Sequence, residues 1–149
     1  MEIRRMLPDD VEQVAKIEHE TFSVPWSYNA LLEACTEENN IYLVCVENEK
    51  VLGYCGMWTV LGEGNITNVA VELTARNRGV ATALMQEMEQ LGITTKDINV
   101  FFLEVRKSND AAIHVYEKCG FRRIGLRKNF YEKPREHAIV MSKIIKDVK

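Results

Sequence analysis

The period of the apolar positions changes several times along the chain, and each change marks an element. Glu2–Leu7 reads as a short strand. From Val11 the period lengthens: Val11, Val14, Ala15, Ile17 and Phe22 share one helix face. Asp9 caps this helix, with Glu12 three residues on as in a capping box. Val24-Pro25-Trp26 ends it, and Ser27 caps a second helix through about Glu38. Ile41–Val46 and Val51–Val60 are strands joined by the Glu47-Asn48-Glu49-Lys50 turn. Gly62-Glu63-Gly64-Asn65 predicts a second turn, before a strand from Ile66 to Val71. A helix follows from about Gly79 to Leu91, with Gly92 as its stop. Ile98–Arg106 is a strongly apolar strand, and Asn109–Cys119 a helix stopped by Gly120. Phe121–Phe130 and Ala138–Ile145 close the chain as strands around a Lys133-Pro134-Arg135 turn.

The resulting order, βααβββαβαββ, predicts an α+β fold in α/β/α layers: one mixed sheet with helices on both faces. Strands before and after each of the last two helices should run parallel. No repeat, low-complexity tract or Pro/Gly-rich linker interrupts the pattern, so residues 1–149 read as a single domain.

Composition narrows the class. The chain has 149 residues, 46% hydrophobic and 28% charged, which fits a globular domain able to bury roughly 70% of its unfolded surface. The longest apolar run, Ile41–Val46, is too short to span a membrane. The N-terminus, Met1-Glu2-Ile3-Arg4-Arg5, leads into Met6-Leu7-Pro8 with no apolar core of a secretory signal. Net charge is −3, but it is unevenly spread. Residues 1–75 hold four Lys/Arg and thirteen Asp/Glu, and residues 76–149 hold fifteen and nine, so the halves carry −9 and +6. Such asymmetry suggests charged partners of opposite sign, and it also arises by chance in a single globule.

Cys35, Cys45, Cys55 and Cys119 form no C-x-x-C pair, and no histidine lies at zinc-ligand spacing from them, so no metal is expected. Cys45 and Cys55 read as small buried hydrophobes, and a reduced, cytoplasmic setting is expected. His114 and Cys119 are five apart on one helix, a poor spacing for a nucleophile–base pair.

The chemistry concentrates in Ile66-Thr67-Asn68-Val69-Ala70-Val71 followed by Arg76-Asn77-Arg78-Gly79-Val80-Ala81-Thr82: a strand, a basic loop and a glycine at a helix start. Unpaired N–H groups and the helix dipole there suit a pyrophosphate, and Arg76 and Arg78 add positive charge. The segment is neither G-x-G-x-x-G nor a Walker A loop. An ordinary strand–helix turn with exposed arginines is the other reading of these residues.

R-x-x-G-x-A after a V-A-V strand resembles the acetyl-CoA signature of the GNAT N-acetyltransferases, whose usual form is Q/R-x-x-G-x-G/A. The element order matches that fold over nearly the whole chain. Within the superfamily the sequence is most similar to the RimI type, which acetylates the N-terminal alanine of the eighteenth small-subunit ribosomal protein. The matching segments are Pro25-Trp26-Ser27, Asn68 to Val71, Phe102-Leu103-Glu104-Val105-Arg106, Ser108 to Ile113, Tyr116 to Phe121, Arg127 to Tyr131, and Ala138 to Met141. L-E-V-R-x-S-N is specific to the subfamily, whereas the glycine signature is specific only to the superfamily.

The resemblance implies acetyl-CoA as co-substrate and no metal. It implies that Val69, Ala70 and Val71 hold the pantetheine arm by strand-like hydrogen bonds, with the Val71 N–H polarising the thioester carbonyl. Asn77, Arg78, Gly79, Val80, Ala81 and Thr82 would take the pyrophosphate, and Asn109 would contact the cofactor. Glu104 matches the general base and Tyr116 the general acid. Strand alternation places Glu104 with Val100 and Phe102, where desolvation would raise its pKa. From the residues alone, Glu104 could equally be a surface carboxylate paired with Arg106 or a neighbour, and Tyr116 a core aromatic. Trp26 and Tyr131 match aromatics that flank the acceptor peptide in similar enzymes, and as isolated rings they could equally anchor loops. Phe130-Tyr131 departs from a Tyr-Tyr pair common in the family.

The implied partner is a ribosomal-protein N-terminus, with no direct nucleic-acid contact and no membrane. A GNAT enzyme acting on another amine (a lysine, polyamine or small molecule) and a non-catalytic acetyl-CoA-binding module are the alternatives. The charge contrast takes on meaning here. The basic half holds most of the implied cofactor site, and the acidic half holds the helices that border the acceptor groove in similar enzymes.

Overall fold

The computed structural model describes residues 1–145. Seven strands form one sheet: β1 (Glu2–Arg5), β2 (Asn40–Glu47), β3 (Lys50–Val60), β4 (Glu63–Val71), β5 (Val100–Arg106), β6 (Arg122–Tyr131) and β7 (Glu136–Ile144). Their spatial order is β1-β2-β3-β4-β5-β7-β6. The helices are α1 (Val11–Thr21), α2 (Tyr28–Thr36), α3 (Val80–Lys96) and α4 (Asp110–Lys118). The predicted order of elements is the observed one.

The sheet separates two cores. Val80, Leu84, Met85 and Met88 of α3 pack with Ile113 and Tyr116 of α4 on one face. Val11, Val14 and Ile17 of α1 pack with Leu31 and Ala34 of α2 on the other. Strand β2 feeds both: Ile41, Leu43 and Cys45 belong to the first core, Tyr42 and Val44 to the second. A strand covered on both faces has no solvent side, which explains its unbroken apolar run.

The pairing of β4 with β5 positions the site. The two run parallel, as the crossover through α3 predicts, but they pair only from Glu63↔Val100 to Asn65↔Phe102. Beyond Asn65 the strands separate. On its other edge β4 stays paired with β3 through Gly53↔Val71, with a bulge: Gly56 pairs with Asn68 and Met57 with Ile66, leaving Thr67 as the extra residue. The bulge bends β4 where it parts from β5. Strands β5 and β6 also run in one direction, but β7 lies between them, antiparallel to both.

Four local boundaries differ from the sequence pattern. The β3–β4 turn is only Leu61-Gly62, both at positive φ, so Gly64 and Asn65 lie within β4. A side chain at Gly64 would press on Phe101 Cδ1 at 2.8 Å; that glycine serves packing and not a turn. Gly92 does not stop α3, which continues to Lys96 and ends at Asp97 in the left-handed region. A side chain at Gly92 would meet Met57 Cε at 2.9 Å and Ile98 Cδ1 at 3.1 Å, so it permits close helix–sheet approach. At the N-terminus, β1 ends at Arg5, and a short 3-10 turn, Pro8–Asp10, precedes α1. Asp10, not Asp9, does the local bonding: its carboxylate accepts the Leu7 N–H at 2.8 Å and pairs with Arg4 at 2.7 Å. Finally, α2 stops at Thr36, short of Glu38, while Ser27 caps it as expected by accepting the Ala30 N–H at 3.1 Å.

Candidate active site

Where β4 and β5 part, a cleft of about 630 Å³ opens through the sheet. Ile66 to Val69 form one wall and Leu103 to Arg106 the other, with the α1–α2 loop and the β6–β7 loop across the mouth. The cleft brings together Trp26, Val69, Glu104, Asn109, Tyr116 and Tyr131.

Backbone groups line the β4 wall. The Glu72 N–H donates to Leu52 O at 2.8 Å, so Glu72 faces β3. Alternation then turns Ala70 to β3 as well, and turns the N–H and C=O of Val69 and Val71 to the open edge. Arg76 Nε donates to the Val71 carbonyl at 3.3 Å on that edge. Of the three backbone positions implied for the pantetheine arm, Val69 therefore presents its N–H and C=O and Val71 its N–H, while Ala70 is committed to β3 and is buried.

The open edge leads to the start of α3. Asn77 and Gly79 both have positive φ, +65° and +79°, and Gly79 is the N-cap. The Ala83 N–H reaches Gly79 O at 3.0 Å, and the N–H groups of Val80, Ala81 and Thr82 precede the first turn with no intrahelical partner. A Cβ built on Gly79 would meet nothing within 4 Å. This glycine answers to its backbone angle and leaves open space before the helix dipole, which fits a pyrophosphate. Arg78 is tied to Glu47 at 2.7 Å on the adjacent hairpin.

Glu104 and Tyr116 enter the cleft from opposite faces. On β5, Phe101, Leu103 and Val105 are buried in the α3/α4 core, so Glu104 points to the α1/α2 face. Its carboxylate is not enclosed as expected from Phe102 and Val100. The side chain keeps 32% exposure, and the nearest cation is Arg127 Nε on β6 at 3.8 Å, not Arg106. Tyr116 comes from α4 with its ring packed against Phe121, centroids 6.3 Å apart. Burial pushes its phenol well above the usual tyrosine range. Its hydroxyl has no hydrogen-bond partner among the described residues. A neutral phenol with a free O–H, held against the cleft, is a proton donor in waiting.

Asn109 caps α4: its Oδ1 accepts the Ala112 N–H at 3.2 Å, and it remains exposed at the cleft rim. Trp26 and Tyr131 both line the cleft. The Trp26 backbone N–H donates to Glu18 Oε2 at 2.9 Å. Tyr131 ends β6, lies edge-on to Phe130 at 5.1 Å, and carries the Arg106 guanidinium 4.6 Å above its ring. Burial pushes its phenol up to about 12.

Two groups in the cleft lie outside the motif residues first assigned a role. Glu18, 2% exposed, accepts from Tyr54 OH, from Asn68 Nδ2 at 3.3 Å and from the Trp26 N–H. Asn68 Oδ1 in turn accepts from Tyr42 OH at 3.2 Å, and Tyr42 OH meets Thr67 Oγ1 at 2.9 Å. Its signal was present in the pattern: Glu18 falls in register with Val11 and Val14, a carboxylate on an apolar helix face. Arg106 is the second, and its several partners come from distant loops that no local pattern joins. No cysteine lines the cleft: all four are free thiols, with Cys45 and Cys55 buried.

The sequence and the fold both match known proteins. The sequence matches the Acetyltransferase (GNAT) family over residues 11–121. It is 35% identical over 136 residues to the [ribosomal protein bS18]-alanine N-acetyltransferase of Haemophilus influenzae, covering 89% of this chain and 91% of that protein. The crystal structure of the ribosomal-protein-S18-alanine N-acetyltransferase from Escherichia coli superposes with a TM-score of 0.89 at 28% identity, covering 99% of this chain and 96% of that one. Ard1 from Thermoplasma volcanium gives the same TM-score and identity, with 98% of each chain covered. A strand pair that opens beside a glycine-started helix, within a sequence matched over most of its length, places the chain in the acetyltransferase (GNAT) family.

Proposed function

We propose that this protein transfers an acetyl group from acetyl-CoA to the N-terminal α-amine of a protein, and that its acceptor is the N-terminal alanine of ribosomal protein bS18. The observation that carries the reading is the placement of Glu104 and Tyr116 on opposite faces of the sheet, both reaching the gap between β4 and β5. The similarity to bS18-alanine N-acetyltransferases over nine-tenths of the chain supplies the acceptor.

Acetyl-CoA supplies the activated thioester. The free edge of Val69 and Val71 suits an extended pantetheine arm, with the Val71 N–H available to a carbonyl oxygen. The open space before Gly79, with the N–H groups of Val80, Ala81 and Thr82, suits the pyrophosphate, and the Asn77–Arg78 turn frames it. Asn109 stands at the rim on the β5 side.

The acceptor enters from the α1/α2 face between Trp26 and Tyr131. An α-amine has a pKa of about 7.7–8.0, so much of it needs only modest help to lose a proton near neutrality. Glu104 takes the proton as the C–N bond forms, directly or through a water. Tyr116, kept protonated by burial, delivers its proton to the departing thiolate. Transfer is direct, because no cysteine stands in the cleft to carry the acetyl group. The reaction needs no metal, and the setting we propose is the cytoplasm. No helix among the described residues is long and apolar enough to cross a membrane.

Mass spectrometry tests the reading: the protein is incubated with acetyl-CoA and the small-subunit ribosomal proteins, and the acetylated residue is located. Acetylation of the bS18 N-terminal alanine is expected. Preference for a lysine side chain or a small amine over an alanine-initiated peptide would replace the acceptor. Cofactor binding without turnover on any amine would leave only a binding module.

A further inference from the structure

The acceptor groove has two walls made of loops from distant parts of the chain, and one side chain spans them. Arg106, the last residue of β5, donates from Nη1 to Pro134 O at 2.9 Å and from Nη2 to Glu132 O at 2.7 Å, both in the β6–β7 loop. Nη1 also pairs with Glu136 Oε1 at 3.3 Å, and the guanidinium lies 4.6 Å over the Tyr131 ring. The same Nη2 reaches across the groove to Ser23 Oγ in the α1–α2 loop, at 3.3 Å and 83 residues away in sequence. No other hydrogen bond joins these two loops among the described residues.

We infer that Arg106 is a positioning residue that sets the width of the acceptor groove by tying its two loop walls to the end of β5. The inference rests on the reading of this cleft as an acceptor groove. Only a guanidinium meets all these demands at once: it is flat enough to stack on Tyr131 and forked enough to reach two carbonyls, a carboxylate and a hydroxyl. The side chain keeps 24% exposure, and water can satisfy the loop carbonyls in its absence. Its removal therefore frees the loops without opening either core. Glu104 lies two residues back on the same face of β5, so the strand that carries the base also carries the clamp on the acceptor.

The experiment compares wild-type protein with Arg106→Gln, Arg106→Lys and Ser23→Ala. Hydrogen–deuterium exchange of the ligand-free proteins reads residues 22–26 and 131–134. Steady-state kinetics with an alanine-initiated bS18 peptide reads KM for peptide and for acetyl-CoA separately. Arg106→Gln is expected to speed exchange in both segments together and to raise peptide KM by roughly tenfold or more, since an ångström of misplacement is costly in a groove. Acetyl-CoA KM stays unchanged. Arg106→Lys retains the charge beside Glu136 and still shows both effects; Ser23→Ala loosens 22–26 alone. Unchanged exchange at 22–26 in Arg106→Gln overturns the clamp. So does a fall in kcat and thermal stability with peptide KM unmoved, the mark of a merely structural residue. Full rescue by lysine would reduce the role to charge pairing and overturn the fork. The exchange arm stands even if the wild-type protein acetylates no N-terminal amine, in which case the proposed function fails and the clamp is still decided.

Discussion

Asn65 and Phe102 form the last pair of the β4–β5 ladder. Every residue placed in the cleft lies beyond that pair or is delivered to it from outside the sheet. Central strands normally keep their ladders, because unpaired buried N–H and C=O groups are costly. Here the cost falls on Val69 and Val71 on one strand and on Glu104 and Arg106 opposite, since Leu103 and Val105 bond to β7. An extended ligand offering amides and carbonyls would complete what the sheet leaves undone.

The roles of Glu104 and Tyr116 are separable from folding. Glu104→Gln keeps the shape of a side chain that is already one-third exposed, and Tyr116→Phe keeps the ring against Phe121. Each is expected to lower kcat by roughly 10²–10⁴, the usual worth of a proton-transfer group, with acetyl-CoA affinity retained. Initial rates with an alanine-initiated peptide, alongside a cofactor-binding measurement, check this. Near-normal rates in both variants would remove the assignments.

Gly79→Ala separates cofactor binding from stability. The new methyl group meets no protein atom within 4 Å, so no clash follows, but φ of +79° costs a non-glycine residue about 1–2 kcal/mol. The methyl group also fills the space before the helix start. The expected outcome is a raised KM for acetyl-CoA, an unchanged KM for peptide and a small fall in melting temperature. An unchanged acetyl-CoA KM would move the pyrophosphate away from this turn.

Gly56→Ala should show the opposite balance. Its Cβ would lie 2.1 Å from Tyr42 Cε2 and 2.3 Å from Cζ, inside a buried ring that cannot swing aside. The Tyr42 hydroxyl, bonded to Thr67 and Asn68 at the bulge, must move with it. A loss of about 1–3 kcal/mol is expected from such overpacking, read by chemical denaturation. A stability equal to wild type would show that Tyr42 has room the close contact denies.

The sequence carried the elements and the motif residues, and it did so through local physics: period-2 and period-3.6 apolar patterns, Ser27 as a cap, Gly120 as a stop. It misread Gly64 and Gly92 because a glycine required by a neighbour looks the same as one required by a turn. Phe101 and Met57, which need those glycines small, are far from them in sequence or across the sheet. The openness around Glu104 was hidden for the same reason. Val100 and Phe102 beside it are local, whereas Arg127 arrives on β6. Ala70, set within V-A-V, looked equivalent to its neighbours; only the β3–β4 register decides which backbone groups face the gap.

Glu18 supplies a prediction with a sign. Burial raises its pKa above the ordinary 4.5, against the Trp26 and Asn68 hydrogen bonds that favour the charged form. The fold therefore holds the proton more tightly than the unfolded chain does. The stability this contributes is fully present below the unfolded value and is lost as pH rises through the higher folded value, where the fold must keep a carboxylate that water would otherwise hydrate. Glu18→Gln retains an oxygen for the Trp26 N–H and never ionises. Thermal unfolding of both proteins from roughly pH 4 to pH 8 should show the wild type at its best relative to the variant in acid, with its relative stability falling towards neutrality. A difference independent of pH would mean that burial and the hydrogen bonds to Tyr54, Asn68 and Trp26 cancel. Wild-type stability that improves relative to the variant with rising pH would mean that those bonds prevail, and that the network is built around a charged Glu18.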